Sequence, residues 1–218
     1  MSRFRLSAFF AIPVFLLTTF GLAHATSAAT AAPTTSADRA SIIETKMALR
    51  DLWVEHAFWI RNYVLATHEG DRAQQKVAEV EVLNNAKALS ESIAPFYGQA
   101  ASDSLLKLLA GHWGAVRDYN TATRAKSKAG QDKAGADATR NAHELAKFLS
   151  GANPYLPEDA VFTLLTAHFG HHVAQITEIA SGDYQDEATT WRAMREHLFV
   201  ISDAIADALV KQFPDRFR

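Results

Sequence analysis

The chain of 218 residues contains no cysteine, which excludes disulfides, covalently attached haem and thiolate metal ligands together. Methionine is nearly as scarce: beyond the initiator only Met47 and Met194 remain, too few to hold copper(I) through sulfur. An excess of one charge is also missing, since 22 Lys and Arg stand against 24 Asp and Glu. That balance gives no electrostatic footprint for nucleic acid or an anionic membrane surface. There is no H-E-x-x-H, no G-x-S-x-G and no glycine-rich phosphate loop, so none of the common catalytic constellations is present and an enzyme is the less favoured reading. Proline is rare, six in all, and beyond the N-terminal segment it stands at edges, at Pro95, Pro154, Pro157 and Pro214, where it punctuates helices without interrupting them.

One long apolar run occurs, and it is N-terminal. Arg3 and Arg5 precede LSAFFAIPVFLLTTFGLA, and Ala23-His24-Ala25 closes it as an A-x-A site. This is the pattern of a secretory signal peptide over 1–25, which places the mature protein in the periplasm or outside the cell, with no membrane span after signal removal. Loss of the two arginines leaves 20 basic residues against 24 acidic. Residues 26–39 are small and polar and read as a flexible tether; residues 40–218 form the folded domain.

That domain repeats itself. His56, His112 and His168 recur at intervals of 56 residues, as do Asn85, Asn141 and His197. Leucines at 52, 108 and 164 keep the same register. Around the first series, Leu49, Leu52, Trp53, Trp59, Ile60 and Tyr63 space as one apolar helical stripe with His56 inside it. Turn signals at Glu69-Gly70-Asp71 and Ser181-Gly182-Asp183, with Ala125-Lys126-Ser127-Lys128 in the middle place, divide each unit into two helices. The expected fold is all-α, a six-helix up-and-down bundle built from three 56-residue helical-hairpin repeats; an open stack of hairpins is the other arrangement the pattern allows. Counting outward from the turns puts His56 level with Asn85, His112 with Asn141 and His168 with His197, each pair face to face.

In a closed bundle these histidines converge. Imidazole suits zinc, copper(II), nickel and iron, and His168 with His172 places two rings on one helical face. The expected metal ligands are His168, His172 and His197, supported by His56 and His112. A b-type haem between two core histidines is a further possibility. The competing reading makes the protein a structural or protein-interaction module of the cell envelope with an unidentified protein partner, its His/Asn pairs setting helix register as a polar core residue does in a coiled coil. Arg61 and Arg117 read as helix-edge salt bridges, and His68 and His143 as surface residues.

LWVEHAFWIRNYV at 52–64, PFYG at 95–98, NAHELAKFLSGANP at 141–154 and QFPDRF at 212–217 together resemble a family of small exported bacterial helical proteins without an established activity. The resemblance implies an extracytoplasmic helical domain and no catalytic residues. HFGHH at 168–172 is richer in histidine than that family's pattern.

Overall fold

The structure, a computed structural model, describes residues 36–218. The expected signal peptide and the tether up to residue 35 lie outside the described residues; the end of the tether does not, because the first helix begins at Ser36 and not at Ala40. The described chain is helical throughout: α1 (Ser36–Glu69), α2 (Arg72–Glu91), a single turn α3 (Ala94–Tyr97), α4 (Gln99–Arg124), α5 (Lys128–Ala152), α6 (Glu158–Ser181) and α7 (Tyr184–Gln212), then a 3₁₀ turn at Pro214–Phe217. Six of these helices are long. Among the described residues none is long and apolar enough to cross a membrane.

The turns explain why these helices stop and restart where they do. Gly70 and Gly182 take left-handed backbone angles, φ 80° and 78°, and Lys126 takes φ 53° at the corresponding place 56 residues from each. The residue after each begins the next helix by capping it. Asp71 accepts from the amides of Ala73 and Gln74, Ser127 from Gly130, and Asp183 from Asp186, which satisfies otherwise orphaned donors. A lysine in the left-handed region crowds its own Cβ against the backbone, at a cost of roughly 1–2 kcal/mol. Lys126→Gly is therefore expected to stabilise the fold by about 1 kcal/mol, raising the thermal midpoint by roughly 2–4 °C; calorimetry that shows no rise would remove the backbone-strain account.

The packing places three helices inside and three between them. α2 packs against both α1 and α4, α5 against α4 and α6, and α7 against α6 and α1; α6 also touches α1 and α4 directly. Because α7 returns to α1, the helices close on themselves and do not form an open stack. Three ion pairs fasten this closure: Lys46 with Asp207 at 2.7 Å, Arg50 with Asp203 at 2.5 Å and Arg61 with Glu187 at 2.6 Å. Arg61 thus does form a salt bridge, but its partner is buried. Glu187 also accepts from Gln175 Nε2 at 2.8 Å, and the guanidinium first, then Gln175, holds its carboxyl below the usual range against the opposing effect of burial.

Two apolar layers stack along the interior. One contains Trp53, Leu109 and Leu165 with Leu89, Leu145 and Met194; the other contains Ile60, Val64, Val82, Trp113, Val116 and Ile176. A separate cluster seals one end, where Phe96 of PFYG stacks on Phe217 of QFPDRF at 5.8 Å and meets Phe213 at a tilt at 5.4 Å. There Tyr97 donates its hydroxyl to Gln212 Oε1 at 2.6 Å and accepts from Asn153 Nδ2 at 3.0 Å. PFYG, QFPDRF and the end of NAHELAKFLSGANP therefore meet at this end seal.

Candidate metal centre

Between the two apolar layers, four histidines meet. His56 comes from α1, His112 from α4, and His168 and His172 from α6. All four are buried, His172 completely, and one ring nitrogen from each lies within 4.8 Å of one from every other. The helical period places them: Trp53, Leu109 and Leu165 each precede a histidine by three, and Ile60 and Val116 each follow one by four. His56, His112 and His168 thus form a ring of three, one from each inner helix. His172 occupies the place in the next layer that Ile60 and Val116 hold on α1 and α4, and it closes the ring from above.

Five of the six ring-centroid separations are similar and the sixth, between the two rings of α6, is shorter. They run 5.8 Å for His56 and His112, 5.7 Å for His56 and His168, 6.0 Å for His56 and His172, 5.4 Å for His112 and His168, 5.8 Å for His112 and His172, and 4.5 Å for His168 and His172. His168 and His172 share a hydrogen bond between their Nε2 atoms at 3.1 Å. That matches the edge of a tetrahedron of ligands about a zinc ion, about 3.3 Å for bonds of about 2.0–2.1 Å.

Burial sets the electrostatics. It pushes His56 down to about 3, assisted by the neighbouring His112, and His112 down to about 4. It also holds His168 well below the ordinary histidine value, with His172, His112, His56 and His197 adding to the effect, and His172 likewise, with His112, His56 and His171 adding. At neutral pH all four are uncharged, the form that offers a lone pair to a metal. Several of their nitrogens have no hydrogen-bond partner although buried: Nδ1 of His56, His168 and His172, and Nε2 of His112. Each such orphan costs about 1–3 kcal/mol where nothing binds it.

The remaining expected ligand stands apart. His197 is half-buried on α7, and its Nε2 donates to the Leu164 carbonyl oxygen at 2.9 Å. Asn85 donates to the Leu52 carbonyl at 3.0 Å and Asn141 to the Leu108 carbonyl at 2.9 Å, each also over an interval of 33 residues. The face-to-face hydrogen bonds expected between His56 and Asn85 and between His112 and Asn141 are not made. The second polar series instead pins the carbonyl four residues before each ring histidine and fixes the height of the outer helix on the inner one. Of the five expected ligands, the structure brings His56, His112, His168 and His172 together, and His197 lies outside that group on the Leu164 carbonyl. The sequence pattern missed this because equal height on paired helices says nothing of which way a side chain turns.

One glycine is demanded by this arrangement. A Cβ on Gly111 would lie 2.8 Å from Asn141 Nδ2, and that amide cannot retreat without releasing Leu108. Gly111→Ala is expected to destabilise the protein by about 1–2 kcal/mol despite a gain of about 1 kcal/mol in helix propensity. Gly114→Ala, whose Cβ would meet nothing within 4 Å, should stabilise it in the same denaturant titration. Equal effects at the two positions would dismiss the pinning role.

Little space remains around the four rings. The cavity that touches His56, His112 and His168 holds about 10 Å³, at or below what a single water needs, and rings this close together leave no slot for a porphyrin. His143, expected at the surface, is exposed and stacks on Phe162, whereas His68 is half-buried and shares a hydrogen bond with the buried Asn120 at 3.0 Å. Compared with known proteins, the chain matches no protein-family model, no curated protein and no solved structure.

Proposed function

We propose that this protein is an exported helical bundle that holds one transition-metal ion in a closed four-histidine site made by His56, His112, His168 and His172. The observation that carries this reading is the convergence of four neutral, buried imidazoles, with one ring nitrogen of each within 4.8 Å of one from every other. Buried polar groups are normally satisfied, and an ion at the centre would take one lone pair from each ring. The absence of space beside the rings argues for holding the ion and against catalysis, because catalytic metal sites keep an open coordination position.

The shape favours zinc among the metals that imidazole suits. In a square arrangement two diagonals exceed the sides by about 1.4-fold, the geometry of copper(II) and nickel(II). No two opposite separations stand out as diagonals here, since five of the six lie between 5.4 and 6.0 Å and the sixth, within α6, is shorter at 4.5 Å. A tetrahedral ion fits a ring of three with a fourth ligand above it.

The architecture behind this site is, in the same reading, an up-and-down bundle of three 56-residue hairpins. The recurrence of turns, caps and carbonyl pins at that interval supports it. Each hairpin supplies one ring histidine, and a single departure in the third, histidine in place of isoleucine or valine at 172, converts a polar layer into a metal site. The test is elemental analysis of the mature, untagged chain. About one zinc per chain, lost in His112→Ala, is the expected result; a wild-type protein that stays metal-free after incubation with zinc contradicts it.

A further inference from the structure

The quartet is sealed, so an ion must be handed into it, and α6 carries one more imidazole beside it. We propose that His171 and His197 form a second, half-exposed metal site, a port that captures a divalent transition-metal ion and passes it to His168 and His172. This inference rests on the four-histidine reading above and adds the route by which that site is filled.

His171 is half-buried and lies about 60° round the helix from His168 and about 100° from His172, turned toward α7. Its ring meets that of His197 at a centroid distance of 5.1 Å. His197 commits Nε2–H to the Leu164 carbonyl, which fixes the tautomer and leaves the lone pair on Nδ1; the buried Nδ1 of His171 makes no well-formed hydrogen bond, its one polar neighbour being the Ala167 backbone, and a ring that turns Nδ1–H to that carbonyl offers its Nε2 lone pair. The pair also stands close enough to the quartet to act on it, for His197 and His171 are among the charges that depress His168 and His172 respectively.

The histidine at 197 is more than its hydrogen bond requires. Asn85 and Asn141 make the equivalent bond to Leu52 and Leu108, so asparagine would serve the fold equally well. What imidazole adds is a second nitrogen with a free lone pair. At the place of His171 the first two hairpins carry Trp59 and Ala115. Both surplus imidazoles therefore fall in the hairpin that holds two of the four quartet ligands, and they fall next to each other. Two protein ligands bind an ion more weakly than four, so transfer from port to quartet runs downhill.

Cobalt(II) tests this, because its visible absorption separates four-coordinate from six-coordinate sites. The mature metal-free chain and the variant His171→Ala with His197→Asn would be mixed with cobalt(II) in a stopped-flow instrument. The expected result is four-coordinate loading slowed about tenfold or more in the variant, with the final spectrum and the equilibrium affinity unchanged. A second variant, His112→Ala, should still take up cobalt weakly with a pale, six-coordinate spectrum, and should lose that uptake when His171 is also replaced by Ala. Loading of the double variant at the wild-type rate overturns the port, as does a parallel fall in its affinity, which would make the pair part of the main site. A wild-type chain that takes up no cobalt at all overturns the four-histidine reading itself, and the port with it.

Discussion

Titrated with acid in the absence of metal, the protein is expected to unfold cooperatively within about two pH units below 6.5. The direction follows from the four buried histidines. In the unfolded chain each binds a proton near 6.5, whereas in the folded chain His56 is held to about 3, His112 to about 4, and His168 and His172 well below their ordinary value. Between these limits the unfolded state binds more protons, so stability is complete above about pH 6.5 and falls as the pH falls. Each histidine contributes a slope of about 1.4 kcal/mol per pH unit, and four together about 5. A domain stable by about 5–15 kcal/mol exhausts that quickly. The carboxylates act later: Glu187, Asp203 and Asp137, all held low chiefly by hydrogen bonds from cationic partners, lose their contribution only as they protonate. Far-ultraviolet circular dichroism against pH measures the midpoint, and replacing His56 by Leu should shallow the acid limb by one proton. Retention of full helicity to pH 4 would be incompatible with a buried, neutral quartet.

The same burial explains what could and could not be read from the residues alone. The helices were legible because apolar stripes, turn residues and caps agree with one another at every level, as at Gly70-Asp71 and Gly182-Asp183; even Lys126, with no glycine to mark it, could be placed by the interval of 56. His56, His112 and His168 were legible as a layer because a strict interval puts equivalent residues on equivalent faces. The role of His197 was not. Its height matched, but whether a side chain at that height turns to the opposite histidine or to the backbone carbonyl beside it depends on helix rotation, which a one-dimensional pattern does not contain. The closing ion pairs between α1 and α7 were equally hidden, since Arg61 and Glu187 are 126 residues apart and only closure of the bundle brings them together. His171 shows the same limit from the other side: one position off the stripe, it is neither core nor surface by periodicity, and its partner becomes visible only in three dimensions.

Zinc added to the metal-free protein at neutral pH is expected to raise its stability by about 4 kcal/mol when the free ion exceeds the dissociation constant a thousandfold. For a domain of this size that corresponds to a rise in the thermal midpoint of roughly 8–16 °C. The gain has a definite source, for the ion takes one lone pair from each of four converging rings and joins α1, α4 and α6 through side chains already held in their neutral form. Nothing must be ordered or deprotonated at pH 7, so little of the binding energy is spent on preparing the site. His112→Ala and His172→Ile, the latter restoring the residue that stands at position 60, should each abolish most of the increment while leaving a folded bundle, because the apolar layers on either side are untouched. His197→Asn should keep the increment in full, since asparagine at that position can still pin the Leu164 carbonyl and the four ligands do not include it. A chain in which His197→Asn loses the zinc-dependent rise and His112→Ala retains it would place the ion on α6 and α7 alone, and the four-histidine centre would have to be abandoned.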